Sequence, residues 1–273
     1  MASFFETVNE AVKYFADNGY DSQNKVEDWL SRIKAAAIKD MIPAPTLDRI
    51  LRKTLGAAYK RLIENDQIMR YHQGIEKYTI TKLKPALREE LDRRIMASAN
   101  LIKLNRDAMI DATLRRFSGW ATSIPIGGAP PGTKLQTSKE IRKSLAQLPF
   151  LERRVAIDQG HKFVANLNDI IAKDGGAIAA RWNQNYTRYP REIHTERDGK
   201  VYLIKNSWAH EKGLVKPNAD GYLDDKELPG FLINCRCSCI YYYALRFLPP
   251  DMITKKGADE LARVQALLAQ KAS

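Results

Sequence analysis

The sequence predicts an α+β protein: a helical N-terminal half followed by a C-terminal unit in which helices pack on a small mixed β-sheet with long loops. Two changes of pattern carry this. Apolar residues recur at three-to-four-residue spacing from the start of the chain to about residue 118, and the spacing turns to alternation from Ala177. Between them, Pro125, Gly127, Gly128, Pro130, Pro131 and Gly132 remove helix and strand options together and mark a boundary. The expected divisions are a helical domain over 1–118, a Gly/Pro-rich linker over 119–137, a unit over 138–250 and a helical tail over 251–273.

Phe4, Val8, Ala11, Val12 and Phe15 share one face of the first helix, which Asn18-Gly19 ends. Asp21 or Ser22 caps a second helix, built on Val26, Trp29, Leu30, Ile33 and Ala37 and broken at Met41-Ile42-Pro43. Thr46 caps a third, carried by Leu47, Ile50, Leu51, Leu55, Tyr59 and Leu62 to about Met69. From Lys84-Pro85, Leu87, Leu91, Ile95, Ile102, Met109, Leu114 and Phe117 keep the helical period without an internal breaker. That rod would be about 50 Å long at ~1.5 Å per residue. Its polar positions mix Arg88, Arg93, Arg94, Lys103 and Arg106 with Glu89, Glu90, Asp92 and Asp107, a pattern that reads as a solvated face with i,i+4 pairs and not as a nucleic-acid stripe.

Beyond the connector, Ser138 opens a helix that stops at Leu148-Pro149. The next runs through Leu151, Val155, Phe163, Leu167 and Ile171 to the C-cap sequence Lys173-Asp174-Gly175-Gly176. Strands are expected over 177–182, 200–204, 231–233 and 237–244, with Gly-, Pro-, Asp- and Asn-rich loops among them. Residues 258–269 form a terminal amphipathic helix on Leu261, Val264, Leu267 and Leu268.

The chain has 273 residues, 44% hydrophobic and 28% charged, a globular balance that excludes collagen, general disorder and a disulfide-built miniprotein. No run of about 18 apolar residues is present, so no membrane-spanning segment is expected. Met1 to Glu6 has neither a basic start nor an apolar core, so a secretory signal is not expected. Lys and Arg outnumber Asp and Glu by 44 to 32, a net charge of +12, which favours contact with a polyanion because phosphate neutralisation releases counterions. The three cysteines, Cys235, Cys237 and Cys239, are too few and too close for a secreted disulfide framework; free thiols or a metal fit better.

The informative stretch is Arg181 to Cys239. It holds Arg181-Trp182, Arg191 with His194 three residues on, the turn glycine Gly199, a long loop through Asn206 and His210, and the closing Asn234-Cys235-Arg236-Cys237. In this order the residues resemble the phage Mu F-like head morphogenesis family, minor capsid proteins of tailed bacteriophages, over about residues 151–243. The chain departs from that pattern in its additional Cys239 and in Arg188-Tyr189-Pro190, where relatives often carry an acid before the arginine. The resemblance implies a non-enzymatic virion protein of the capsid interior or portal vertex, assembled in the host cytoplasm. Its expected partners are the portal or major capsid protein, and double-stranded DNA without sequence preference. Several copies per particle, and roles in head assembly and genome packaging or delivery, follow from the same likeness.

Read as chemistry alone, the same residues allow three accounts. In the one we favour from sequence, the three cysteines alternate inward as small hydrophobes, with Arg191 and His194 as polar struts. In the second, His194, Cys235 and Cys237 bind zinc, with Cys239 or His210 as fourth ligand. Against it, i and i+2 side chains of an extended strand sit almost 7 Å apart (~3.3 Å per residue), wider than two thiolates on one zinc, so the chain would have to turn at Arg236. In the third, His194, Asn206 and His210 belong to a metal-dependent nuclease or toxin-like enzyme, with Asp220, Asp224 and Asp225 as oxygen donors. The residues after His210 do not read as the helix such a site needs, and no nucleotide-binding glycine motif or nucleophile elbow is present. No resident cofactor is expected, zinc apart.

Overall fold

The computed structural model describes residues 2–130, 132–185 and 190–272. The fold is α+β, a helical N-terminal half with a C-terminal unit of helices and a small mixed four-stranded sheet. By its contacts the chain forms two compact units, Met1–Arg52 with Ile95–Ala156, and Lys53–Arg94 with Ile157–Ser273.

In the first unit, α1 (Phe4–Asn18) starts with a capping box. The Ser3 hydroxyl accepts from the Glu6 N–H while the Glu6 carboxylate accepts from the Ser3 N–H, and Gly19 at φ 75° closes the other end. Ser22 caps α2 (Gln23–Asp40), accepting from the Lys25 N–H. Val8, Val12, Phe15, Ile33, Phe117 and Ile141 meet in one apolar core, the last from α5 (Thr133–Ala146). The 119–137 connector, expected to separate two domains, lies wholly inside this unit. Its irregular part is bonded to α1 and the turn after it: the Ala129 N–H donates to Ala16 O at 2.9 Å and the Tyr20 N–H to Ile124 O at 3.4 Å. Gly128, at φ 92°, lets the two backbones approach so closely that a Cβ there would sit 2.2 Å from Ala16 O. Pro131 lies outside the described residues.

Three helices contribute residues to both units: α3 (Ala44–Tyr59), α4 (Lys77–Ala121) and α6 (Leu148–Asp174). The third helix stops at Tyr59, short of Met69. A π-helical turn over Lys60–Glu64 and a 3₁₀ segment over Gln67–Tyr71 follow, with Asp66 left-handed at φ 57° between them. The long rod starts before Pro85 and carries it inside. Its polar face is not uniformly solvated, because Glu90 and Arg94 are buried.

In the second unit the sheet has the order β1 (His72–Gln73), β4 (Ser238–Tyr242), β2 (Ala179–Asn183), β3 (Val201–Leu203), with β1 parallel to β4 and the other pairs antiparallel. Alternation gives it two apolar faces. Ala180, Trp182, Tyr202, Cys239 and Tyr241 cluster with Ala172 of α6. Ala179, Leu203 and Tyr242 cluster with Ala209, Leu214 and Met252, and with Leu261. The remaining helices are α7 (Glu192–Arg197), α8 (Trp208–Glu211) and α9 (Lys255–Ala272). Residues 231–233, expected as a strand, form a turn. Gly230 at φ 81° swings the chain outward and leaves Phe231 and Ile233 exposed, so the strand begins only at Ser238.

Candidate functional site

Histidine 194 sits in the short helix α7, where its N–H and that of Thr195 both donate to Arg191 O at 3.0 Å. One side of its ring meets Trp182 of β2 edge-on, with centroids 5.4 Å apart. The Gly199 N–H donates to Trp182 O and the Trp182 N–H to Lys200 O, both at 2.9 Å, and Gly199 at φ 74° makes the turn that returns α7 to β3. The helix is thereby held against the end of β2.

The cysteine segment reaches the same place from the other direction. Asn234 is left-handed at φ 59°, and its N–H donates to the Asp158 carboxylate of α6 at 2.5 Å. The Arg191 guanidinium donates to Ile233 O at 2.8 Å, and the Cys235 N–H closes the turn on Leu232 O. Cys235 and Cys237 lie in the irregular segment between that turn and β4 with their sulfurs within 4.8 Å of one another, so the almost 7 Å extended spacing (~3.3 Å per residue) that argued against their sharing a metal does not apply to them.

The result is a convergence of donors. His194 Nδ1 is 3.8 Å from Cys235 Sγ and 3.4 Å from Cys237 Sγ. All three donor atoms lie within 4.8 Å of one another, the one such group of three or more His, Cys, Asp or Glu among the described residues. His194 and Cys235 are buried and Cys237 is half-buried. The Cys237 thiol donates to Cys235, which with the backbone N–H groups of Gly230 and Cys237 pushes the Cys235 thiol down to about 5, while the shared proton and burial push Cys237 up. Cys237 and Arg236 also line a cavity of about 590 Å³, together with His161, Asn168, Arg61 and Arg70.

Neither proposed fourth ligand joins the group. Cys239 is fully buried within β4, in register with Trp182, where burial raises its thiol strongly. His210 lies in α8 with its Nε2 3.4 Å from the Tyr222 hydroxyl. Of the three carboxylates suggested as oxygen donors, Asp220 pairs with Lys200, Asp224 accepts from the Lys205 N–H and Asp225 pairs with the Lys205 ammonium, so they staple turns. Asn206 is itself a turn residue at φ 56°. Among the motif residues, Arg181 lies on β2, Arg236 is exposed at the cavity, and Arg188 and Tyr189 lie outside the described residues.

No known protein family, curated protein or solved structure matches the chain.

Two contributors escape a reading by motif. Asp158 fixes the turn that presents Cys235, and its one signal is position: it follows Val155 by three residues, on the buried face of α6. Arg197 lies over the Trp182 ring, 5.1 Å from its centroid, a contact that nothing in its local sequence announces.

Proposed function

We propose that this chain is a minor head protein of a tailed bacteriophage. In this reading several copies bind near the portal or the inner capsid, in the virion and in its precursor in the host cytoplasm. They assist head assembly and genome packaging or delivery, touching double-stranded DNA without sequence preference. The observation that carries the reading is the order Arg181-Trp182, Arg191, His194, Gly199, Asn234-Cys235-Arg236-Cys237, whose members from Trp182 to Cys237 converge on the end of β2 although as many as 43 residues separate His194 from Cys237. The surplus of twelve positive charges supports the DNA contact. A bracing role, and not turnover, is supported by the burial of His194 against two sulfurs, away from His210 and the Asp220–Asp225 turn. No helix among the described residues is long and apolar enough to cross a membrane.

A mass-spectrometric inventory of immature and mature particles from a host producing them with this chain tests the reading. Finding the chain in either supports it, and absence from both removes it. Incubation with plasmid and RNA, with and without divalent metal, tests the enzymatic alternative: cleavage abolished by His194→Ala would replace the head-protein reading with a nuclease.

A further inference from the structure

We infer that His194 Nδ1 and the thiolates of Cys235 and Cys237 hold one zinc ion, which pins α7 to the turn before β4. The inference is independent of the head-protein reading, because it stands on donor geometry alone.

Three properties of the group point to zinc. The first is spacing. With Zn–S near ~2.3 Å and Zn–N near ~2.0 Å, tetrahedral angles place a sulfur and a nitrogen about 3.5 Å apart, and the two N–S distances, 3.4 and 3.8 Å, bracket that value. The second is donor type. Two thiolates and an imidazole suit zinc, whereas magnesium and calcium take oxygen ligands and iron–sulfur clusters take mostly thiolates. The third is construction. Asp158 accepts from the Asn234 N–H, Arg191 donates to Ile233 O, the Cys235 N–H donates to Leu232 O, and Trp182 meets the imidazole edge-on. Such outer contacts orient ligands before the metal arrives.

The alternative, three groups merely packed, is less economical in hydrogen bonds. Nδ1 faces two sulfurs at once and can accept only one S–H. Zinc binding displaces the remaining thiol hydrogen to solvent as a proton and engages the three donor atoms together. The group supplies three donors, and because Cys237 borders the cavity the fourth position is open to water or a further ligand. The ion closes a loop between residues 41 and 43 apart, and it does so where the backbone is a short helix on one side and an irregular turn on the other.

The test is elemental analysis of the full chain purified under reducing conditions without added metal, followed by cobalt(II) substitution. The expected result is about one zinc per chain, with thiolate-to-cobalt charge-transfer absorption after exchange. Cys235→Ser and Cys237→Ser should each lose most of the metal, whereas Cys239→Ala and His210→Ala should keep it. Should the serine variants fail to fold, the cobalt spectrum of the unmodified chain decides. Folded protein that carries no zinc as purified and takes none up after anaerobic addition and dialysis would overturn the site, as would full zinc content in the Cys235→Ser/Cys237→Ser double variant.

Discussion

His72 couples stability to acidity through one buried ring. Its Nε2 faces Asn168 Oδ1 at 2.9 Å, its Nδ1 faces the Tyr243 hydroxyl at 2.7 Å, and it stacks on Tyr241. Burial pushes its pKa down to about 4, against the hydrogen bond to Asn168, which raises it. The unfolded chain takes up a proton near pH ~6.5 and the folded one resists until about 4, so the unfolded state binds more protons throughout that window. Stability is thus full above pH ~6.5 and falls as the pH drops toward 4, by about 3 kcal/mol from this group. His161, also lowered by burial, acts in the same direction, so the decisive comparison is urea denaturation of the unmodified chain and His72→Gln at neutral pH and near pH 4: the variant should show the smaller loss. Nothing in the sequence around His72 separates it from a loop histidine, because its partners lie in α6 and just beyond β4. The donors His194, Cys235 and Cys237 were legible as residue types. Their bend was not, since Asn234 adopts its left-handed conformation against Asp158, far off in sequence.

The long helix α4 shows what amphipathic patterning hides at the level of an element. Its mixed charges read as a solvated stripe, yet Glu90 is buried and accepts from Arg93 and Arg94 and from Asn166 of α6. Glu90→Ala would leave the Arg94 guanidinium buried without its carboxylate, and should destabilise the fold by about 3–5 kcal/mol in urea denaturation, with Glu90→Gln milder. Elements with local signals were readable: Ser22 and Asn18-Gly19 bound α1 and α2 through caps that depend on near neighbours alone. Phe231-Leu232-Ile233 misleads because an apolar triplet looks the same in a strand and in a turn, and only the Gly230 conformation decides. The two-residue β1 has no periodicity to detect, existing solely through its partner β4.

For the whole molecule, the +12 charge makes a quantitative demand. Fluorescence anisotropy with a mixed-sequence duplex should show affinity falling at least ~10-fold between 50 and 200 mM salt, and salt-insensitive binding would remove the electrostatic contact from the proposal. The α+β class was legible because it follows from periods summed over many residues. The division into units was not. Proline and glycine density marked 119–137 as a break, whereas the chain leaves the first unit after Arg52, returns at Ile95 and leaves again after Ala156, within helices that carry no breaker there.

The pairing of β1 with β4 sets a timetable for synthesis. His72 emerges from the ribosome 171 residues ahead of Tyr243, an interval of about 10–30 s at usual elongation rates. Asn168 follows His72 by 96 residues, but until Tyr243 and the β4 partner are made the imidazole and the edge it belongs to lack that side of their surroundings, so the sheet of the second unit closes only after β4 has emerged. Nascent chains arrested before Ser238 should therefore remain open to protease at His72.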